Sequence, residues 1–313
     1  MTLLNPDSHI CIVGCGLIGG SFALALRRAG FKGRLTAWDN ETTIRFALER
    51  GVIDAPEDSF TEGVSSTANL VFLATPIGGI IDFMRRHRQL LRPGTLVTDA
   101  GSTKVEICRL ARQSLPLEST GIEFIGGHPM AGSEHSGIEY ARADLFDRAT
   151  WALVDEPDCS PGRLAQLTAL IEVIGARPLS IGAAEHDRAV ALVSHLPQLL
   201  ASTLATLLLA PSPDQQDPEG AESRQLDLSR RMAASGWRDM TRLAGSSFNV
   251  WRDIIMTNQP EVLRILTQYL AELQQLTEAL ERKDYQAVRD LFNEANRSVV
   301  QLRETHYRTF DKV

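Results

Sequence analysis

Two histidines and a carboxylate lie among glycines in the segment 126–137, which reads GGHPMAGSEHSG. Histidine is the side chain that gains or loses a proton near neutral pH without a large pKa shift, so His128 is a candidate general base. Glycines let the backbone adopt positive φ and approach a ligand closely. The combination favours acid–base catalysis over a purely structural turn.

A glycine-rich loop lies upstream of this segment. Gly14, Gly16 and Gly19 form the pattern G-x-G-x-x-G directly after an apolar stretch typical of a strand. Leu17 and Ile18 begin the apolar helix that follows. Because the first N–H groups of a helix are free and its dipole is positive there, the loop predicts a pyrophosphate site.

Other polar residues follow the predicted strands at their carboxyl ends, where open α/β sheets bind ligands. Asp39 lies about twenty residues beyond the glycines, the position of a carboxylate that binds ribose hydroxyls. Such a carboxylate repels a 2′-phosphate, which favours NAD over NADP, with a flavin as the open alternative. Thr75 and Pro76 follow a later strand, and Ser102 follows the next, so we expect all of them to line one crevice.

Length and composition indicate a soluble protein of two domains, because 313 residues exceed one ordinary core and 43% of them are hydrophobic. The net charge of -7, with no basic run containing aromatic residues, argues against nucleic acid. The N-terminus lacks a secretory signal pattern, and His195, Pro197 and Gln198 interrupt the most apolar stretch, 190–210. We therefore expect a cytoplasmic protein that spans no membrane. Its four cysteines fit no metal spacing, so no bound metal is predicted.

Strand and helix patterns alternate up to about residue 181. The strand candidates are 9–13, 34–38, 70–74, 96–99, 124–126 and 151–154, and the helices between them are 17–29, 42–50, 77–91, 104–114 and 161–174. This alternation predicts a parallel sheet covered on both faces, a Rossmann dinucleotide-binding domain at residues 1–181. Thr103 and Glu106 predict a capping box for the helix that starts near residue 104.

Beyond about residue 182 the pattern is almost entirely helical, which predicts an all-helical domain at 182–313 and a fold class of α/β followed by all-α. The segment 211–224, with three prolines, predicts an exposed loop. One apolar helical stripe is formed by Val262, Ile265, Leu266, Tyr269, Leu270, Leu273 and Leu276, and a further helix is predicted at 291–302. Because such stripes need a partner, we expect a homodimer.

Six motifs, in this order along nearly the whole chain, resemble the prephenate/arogenate dehydrogenase family. They are 14–19 (GCGLIG), 99–104 (DAGSTK), 127–134 (GHPMAGSE), 194–197 (SHLP), 236–242 (GWRDMTR) and 251–253 (WRD). The resemblance implies a Rossmann domain followed by a helical dimerisation domain, with NAD(P) as cofactor. It also implies oxidative decarboxylation of prephenate or arogenate in tyrosine biosynthesis, without a metal.

The resemblance assigns roles to single residues as well. His128 matches the family's catalytic histidine, which takes the proton of the ring 4-hydroxyl. Ser102 matches the serine that orients both this histidine and the hydroxyl. Arg242 matches an arginine that binds a substrate carboxylate, a role suited to a permanently charged bidentate fork. His195 matches a histidine that binds the substrate's side chain. The other expected substrate-binding residues are Glu134, Gly236, Asp239 and Trp251.

Three alternatives stay open at this point. Arogenate can replace prephenate, although basic groups dominate the expected pocket and favour prephenate. A β-hydroxyacid dehydrogenase would rely on a lysine in the helical part, where Lys283 is the only one between Gly182 and Glu304. A non-catalytic NAD-binding dimer would not need His128, His195 and Arg242 together, and it would bind the cofactor without turnover.

Overall fold

The computed structural model describes residues 3–132, 135–156, 159–208 and 221–305. The chain divides into two compact units, Met1–Gln259 and Pro260–Val313. All strands lie in the first unit, and the last of them ends at Ile181. Each described element after that strand is helical.

Six parallel strands form the main sheet. They are β1 (His9–Val13), β2 (Arg34–Trp38), β3 (Ala55–Pro56), β4 (Leu70–Leu73), β5 (Leu96–Asp99) and β6 (Glu123–Ile125). Their spatial order is β3-β2-β1-β4-β5-β6, the order of a Rossmann fold. Every residue of β1 is buried, as expected for the central strand of a sheet covered on both faces. The Rossmann fold predicted from the sequence is confirmed.

Seven helices belong to this part of the first unit. They are α1 (Leu17–Arg28), α2 (Glu41–Glu49), α3 (Ser59–Glu62), α4 (Ile77–Arg86), α5 (Val105–Ser114), α6 (Leu117–Thr120) and α7 (Pro161–Val173). The five longer ones match predicted helices. Helix α4 ends at Arg86 rather than near residue 91, and a short 3₁₀ turn, Arg88–Leu90, follows it.

A second sheet corrects one prediction. It contains β7 (Gly127–Pro129), β8 (Thr150–Val154) and β9 (Arg177–Ile181), with β7 antiparallel and β9 parallel to β8. The sequence places 151–154 in the main parallel sheet, whereas β8 is the centre of this separate one. Trp151 connects the two sheets, since its buried ring lies 5.9 Å from that of Phe72 in β4, within one hydrophobic cluster.

The helices that complete the first unit follow β9. They are α8 (Ala183–Val190), α9 (Leu196–Thr206), α10 (Ala221–Met232), α11 (Ser235–Thr241) and α12 (Phe248–Thr257), with a 3₁₀ turn at Arg242–Gly245. A π-helical turn, Ala191–His195, joins α8 to α9. Pro197 explains this wide turn, because a proline ring clashes with the carbonyl four residues earlier in a regular helix. Of the predicted loop at 211–224, residues 211–220 lie outside the described part of the chain, and the remainder begins α10.

The run Ala183–Thr206 is long and apolar enough, by length and composition, to cross a membrane. Its buried residues include His186, Asp187 and His195, which are hydrogen-bonded inside the first unit. About a third of its apolar window is buried (33%), and its buried polar groups have protein partners.

Two long helices form the second unit: α13 (Gln259–Glu281), apart from its first residue, and α14 (Tyr285–Thr305). Both predicted helices are thus confirmed. Lys283, between them, has a φ of 54°, a left-handed conformation of the kind that ends a helix. In the stripe of α13, Val262 and Ile265 are buried, whereas Leu270 and Leu273 are exposed.

Candidate active site

The three glycines of the loop after β1 meet different surroundings. A Cβ at Gly19 would lie 2.0 Å from the carbonyl oxygen of Gly14, so α1 packs against the loop only without a side chain there. Gly14 has a φ of 91°, which favours glycine. At Gly16 a Cβ would meet nothing within 4 Å. Gly16 therefore faces open space at the start of α1, as a backbone that receives a pyrophosphate requires.

Three helices start at the carboxyl edge of neighbouring strands, and only two of them are capped. Asp253 accepts a hydrogen bond from Gly78 N, in the first turn of α4, at 2.9 Å. Asp187 accepts from Lys104 N at 2.6 Å and from Val105 N at 2.9 Å, at the start of α5. No side chain among the described residues caps helix α1, so its N–H groups, including those of Leu17 and Ile18, are left for an anion. The arrangement fits a dinucleotide at α1.

Asp39 lies at the end of β2, beside this loop. Its Oδ2 accepts from Cys15 N at 2.7 Å, and its Oδ1 accepts from Asn40 N at 2.7 Å. These bonds hold the carboxylate next to the glycines, where a ribose would bind. Thr75, predicted to contact the cofactor, packs against Gly14, and its hydroxyl is buried with no hydrogen-bond partner among the described residues. Pro76 precedes the first residue of α4.

A buried ion pair positions the strand that carries the candidate base. Lys104 and Asp99 are fully buried and bonded to each other, and Lys104 Nζ also donates to Gly127 O at 2.6 Å. Asp99 Oδ1 accepts from Gly127 N at 2.9 Å, so both backbone groups of Gly127 are held. The pair thereby fixes β7, and with it His128, beyond the carboxyl end of β5. This is the same edge of the sheet as the glycine loop.

The partner of His128 is a second histidine. His128 Nδ1 lies 2.8 Å from His186 Nε2, and His186 Nδ1 lies 2.8 Å from Asp187 Oδ1. Burial lowers the pKa of His128 well below its usual value, and the nearby His186, Lys104 and His195 lower it further. His128 is thus an uncharged imidazole near neutral pH, the form that accepts a proton.

His195, at the end of the π-helical turn, has a different environment. Its Nδ1 lies 3.3 Å from Asn258 Nδ2, which also donates to the carbonyl oxygen of Asp187 at 2.8 Å. Because a carbonyl oxygen only accepts, the Asn258 atom between them is the amide nitrogen, and His195 Nδ1 is an acceptor. Burial lowers the pKa of His195 to about 4, so the neutral ring carries its proton on Nε2. The expected Trp251 lies against this ring at 5.8 Å.

Several expected site residues that the structure describes have no hydrogen bond or ion pair to His128. Ser102 is half-buried and its hydroxyl has no bond to His128 or to any other described residue, so the histidine is held by His186 instead. Arg242 and Gly236 are not buried, and Asp239 is exposed and 3.4 Å from its neighbour Arg238. The expected Glu134 lies outside the described residues.

The Arg242 turn is nevertheless tied to the helix that follows His195. Gln198 Nε2, in α9, donates to Leu243 O at 2.8 Å, and Gln198 Oε1 accepts from Ser246 Oγ at 3.3 Å. Arg242 itself has no ion pair among the described residues, which leaves its guanidinium available to a substrate carboxylate.

Sequence reasoning missed His186, Asp187, Lys104 and Asn258. The predicted capping box is also wrong, because Thr103 bonds to Thr257 at 2.7 Å and Asp187 caps α5. The adjacent His-Asp pair near the start of a long apolar helix was the available signal. Within the described ranges, no group of three or more His, Cys, Asp or Glu residues is arranged to hold a metal ion.

Comparisons with known proteins agree with this geometry. Residues 22–179 match the family model described as prephenate dehydrogenase, nucleotide-binding domain, and residues 182–294 match the one described as prephenate dehydrogenase, dimerization domain. A prephenate dehydrogenase of Lactococcus lactis is 33% identical over 95% of this chain and 78% of its own length.

Two solved structures extend the likeness to the fold. The arogenate dehydrogenase of Synechocystis has a TM-score of 0.78 at 30% identity, over 94% of this chain and 99% of its own. The prephenate dehydrogenase of A. aeolicus, in complex with hydroxyphenyl propionate and NAD+, has a TM-score of 0.84 at 28% identity, over 94% and 98%. With both domain models matched in order along a Rossmann fold and a helical region, this chain belongs to the prephenate dehydrogenase family of oxidoreductases.

Proposed function

We propose that this chain is an NAD-dependent prephenate dehydrogenase, which oxidatively decarboxylates prephenate to 4-hydroxyphenylpyruvate in tyrosine biosynthesis. The observation that carries the proposal is the uncharged His128, held by His186 at 2.8 Å, at the same sheet edge as an uncapped helix start. The Lactococcus relative has this activity by name, and the A. aeolicus structure holds NAD+ with a phenolic ligand.

The residues of the site suit the chemistry of prephenate. Its ring carries a 4-hydroxyl and a carboxylate, and a pyruvyl group is attached to the same ring. When NAD is bound, it accepts the hydride that leaves C4. His128 takes the hydroxyl proton as a carbonyl begins to form at C4, and loss of the carboxylate as carbon dioxide makes the ring aromatic.

Binding is divided among the other site residues. His195 offers an Nε2–H to an oxygen of the pyruvyl group, since its Nδ1 is occupied by Asn258 at 3.3 Å. Arg242 supplies a charged fork for a carboxylate, with Gly236, Asp239 and Glu134 as further contributors proposed from the sequence. Gly14, Gly16, Gly19 and Asp39 hold the dinucleotide, and Asp39 disfavours the 2′-phosphate of NADP.

A homodimer is part of the proposal. The matched family model at 182–294 is described as a dimerization domain. Described residues of the second unit expose large apolar side chains, among them Leu263, Leu270, Leu280, Phe292 and Val300. Burial of these side chains by a second copy would stabilise the pair. Sedimentation at low concentration tests this, and a fully active monomer would refute it.

We also propose the functional domain boundary at 181/182 and a cytoplasmic location. The two family models end and begin at residues 179 and 182, and the last strand ends at Ile181. The buried polar groups of the Ala183–Thr206 run support a soluble protein, in which those groups have protein partners.

The test is the initial rate of NADH formation by the purified chain, with prephenate or arogenate and with NAD or NADP. We expect turnover of prephenate with NAD, and a loss of roughly 10²- to 10⁴-fold in His128→Asn, the usual contribution of general base catalysis. A preference for arogenate would transfer the same chemistry to the amino analogue, as the Synechocystis relative suggests. Binding of NAD without turnover of either substrate would overturn the proposal.

A further inference from the structure

Three side chains form a continuous hydrogen-bonded chain behind the candidate base. His128 Nδ1 faces His186 Nε2 at 2.8 Å, and His186 Nδ1 faces Asp187 Oδ1 at 2.8 Å. His186 and Asp187 are 2% and 1% exposed, so water does not compete for these contacts. A chain of this kind restricts where each proton can reside.

The proton positions can be worked out from the Asp187 end. Both of its carboxylate oxygens accept backbone N–H groups, from Lys104 at 2.6 Å and from Val105 at 2.9 Å. With two backbone N–H groups directed at its oxygens, Asp187 is assigned as the acceptor in its contact with His186 as well, and the proton between them is placed on His186 Nδ1. When the His186 ring carries only this proton, its Nε2 is an acceptor, and the proton of the next bond lies on His128 Nδ1.

We propose that His186 and Asp187 are positioning residues that hold His128 as its Nδ1–H tautomer. In this tautomer Nε2 of His128 is unprotonated, lies on the side of the ring opposite His186, and acts as the base. This inference rests on the proposed function, in which His128 is that base. It assigns to His186 the orientation of His128, which is one of the two roles that the sequence resemblance implied for Ser102.

The proton transfer is balanced without a further reactant. The O–H bond of the substrate hydroxyl breaks, an N–H bond forms at His128 Nε2, and the bond from Nδ1–H to His186 stays in place. The positive charge that develops on His128 is stabilised through His186 by the Asp187 carboxylate, much as the aspartate of a serine protease stabilises its histidine.

Two substitutions of His186 separate this role from simple space-filling. The side-chain amide introduced by His186→Gln would still offer a carbonyl oxygen to His128 Nδ1–H, whereas His186→Leu fills the space but accepts no hydrogen bond. We expect H186L to lower kcat by roughly 10²-fold or more, with a smaller change in KM, because loss of a tautomer-fixing group costs up to about 10⁴-fold in serine proteases. We expect H186Q to remain within roughly tenfold of the parent.

A spectroscopic readout makes the test independent of turnover. The chain has seven histidines, so ¹⁵N-histidine labelling gives a tractable spectrum, and His128→Asn identifies the signals of His128. We expect a protonated Nδ1 and an unprotonated Nε2 for His128 in the parent, and a substantial fraction of the Nε2–H form in H186L. If H186L does not fold, the parent spectrum and the kinetics of H186Q decide the question.

The outcomes distinguish the two proposals. A parent that turns over prephenate and is inactivated by H128N, while H186L keeps full activity, refutes only the role of His186. The role of His186 is also refuted if His128 carries its proton on Nε2 in the parent. A doubly protonated His186 would impose that tautomer, because its Nε2–H would donate to His128 Nδ1. A parent inactive on both substrates refutes the proposed function, while the ring spectrum still reports the tautomer.

Discussion

His128 and His195 differ in what faces their Nδ1 atoms, and this difference separates their chemistry. The Nδ1 atom of His128 lies 2.8 Å from an imidazole nitrogen of His186, and the Nδ1 atom of His195 lies 3.3 Å from the amide nitrogen of Asn258. The amide nitrogen only donates, so His195 must keep its proton on Nε2 and can donate it to substrate. His128, held in the opposite tautomer, can accept a proton.

The pH dependence of kcat/KM follows from the direction of the His128 shift. Its pKa is lowered by burial first, so the ring is deprotonated, and therefore competent as a base, even somewhat below the ordinary histidine value. Activity should fall only as the pH drops through this lowered value, with an acid limb clearly below about pH 6.5. An acid limb at or above the ordinary value would contradict the burial-driven shift.

Two glycine substitutions should separate cofactor binding from folding. Gly16→Ala adds a methyl where nothing lies within 4 Å, so we expect its free energy of unfolding to change by less than about 1 kcal/mol. The methyl keeps the pyrophosphate from the backbone, and loss of one charged hydrogen bond of about 1.5 kcal/mol raises the Kd for NAD roughly tenfold.

Gly19→Ala is the matched control for the glycine loop. Its Cβ would lie 2.0 Å from Gly14 O, so we expect a loss of stability of roughly 1–3 kcal/mol or more. Urea unfolding and NAD titration measure both variants. Equal destabilisation of the two would contradict the different surroundings of these glycines.

At the level of elements, two acidic residues from the helical region cap α4 and α5. Asp253 bonds to Gly78 N at 2.9 Å, and Asp187 bonds to Lys104 N at 2.6 Å. Each fills a helix N-terminus that would otherwise attract an anion. In the part of the chain that the structure describes, no side chain caps helix α1, and its first turn contains no acidic residue. The two caps therefore direct a negatively charged ligand to this one helix of the three.

The buried Lys104–Asp99 pair connects α5, β5 and β7, so removing it should lower both the stability of the protein and its activity. We expect Lys104→Met to lower the free energy of unfolding by roughly 3–5 kcal/mol, because it leaves a buried carboxylate without its countercharge. It should also lower kcat, since Gly127 O loses the donor that holds it at 2.6 Å. Denaturant titration of K104M beside the double variant D99N/K104M checks the cause. The double variant should regain part of the loss, and an equally unstable one would contradict the charge argument.

The elements that could be predicted are those whose pattern is local. Strand β1 and helix α1 are apolar runs separated by Gly14 and Gly16, and their bounds match the expectation closely. Strand β7 has three residues within a glycine motif, and the largely exposed β9 contains Pro178, so neither has the apolar pattern of a core strand. Without these two, β8 has no visible partner, and the sequence pattern places it in the wrong sheet.

The site divides in the same way. Gly14, Gly16, Gly19 and Asp39 form a motif with fixed spacing, and the structure brings them together. The bond from His128 to His186 joins residues 58 positions apart, and sequence spacing carries no information on such a contact. The family resemblance implied Ser102 as a residue that orients His128, whereas in the structure His186 is the residue at the Nδ1 atom of His128.

For the whole molecule, the burial of the cysteines predicts how many thiols a reagent can modify in the native protein. Cys11, Cys15 and Cys108 are at most 5% exposed, and burial raises the pKa of Cys15 and Cys108 to about 12, whereas Cys159 is half-buried. A thiol reagent at neutral pH should therefore modify about one cysteine in the native protein and all four after unfolding. Cys159→Ser is the control and should remove the native reaction. Rapid modification of several native thiols would contradict the burial of these residues.

Because of the wide turn at Ala191–His195, the effect of deleting one residue on the orientation of His186 and His195 depends on where the deletion lies. His186 and His195 are nine positions apart, which in a regular α-helix places side chains about 180° apart around the axis. The turn takes up about one extra residue and reduces that angle to roughly 80°, so both rings reach groups of Asp187 and its neighbour Asn258. A deletion inside the turn would preserve the relative phase of the two histidines, whereas a deletion anywhere else between them would rotate one ring away by about 100°. Pro197 opposes the regular helix that such a deletion would form, so the helical phase of this site depends on a residue that carries no chemistry of its own.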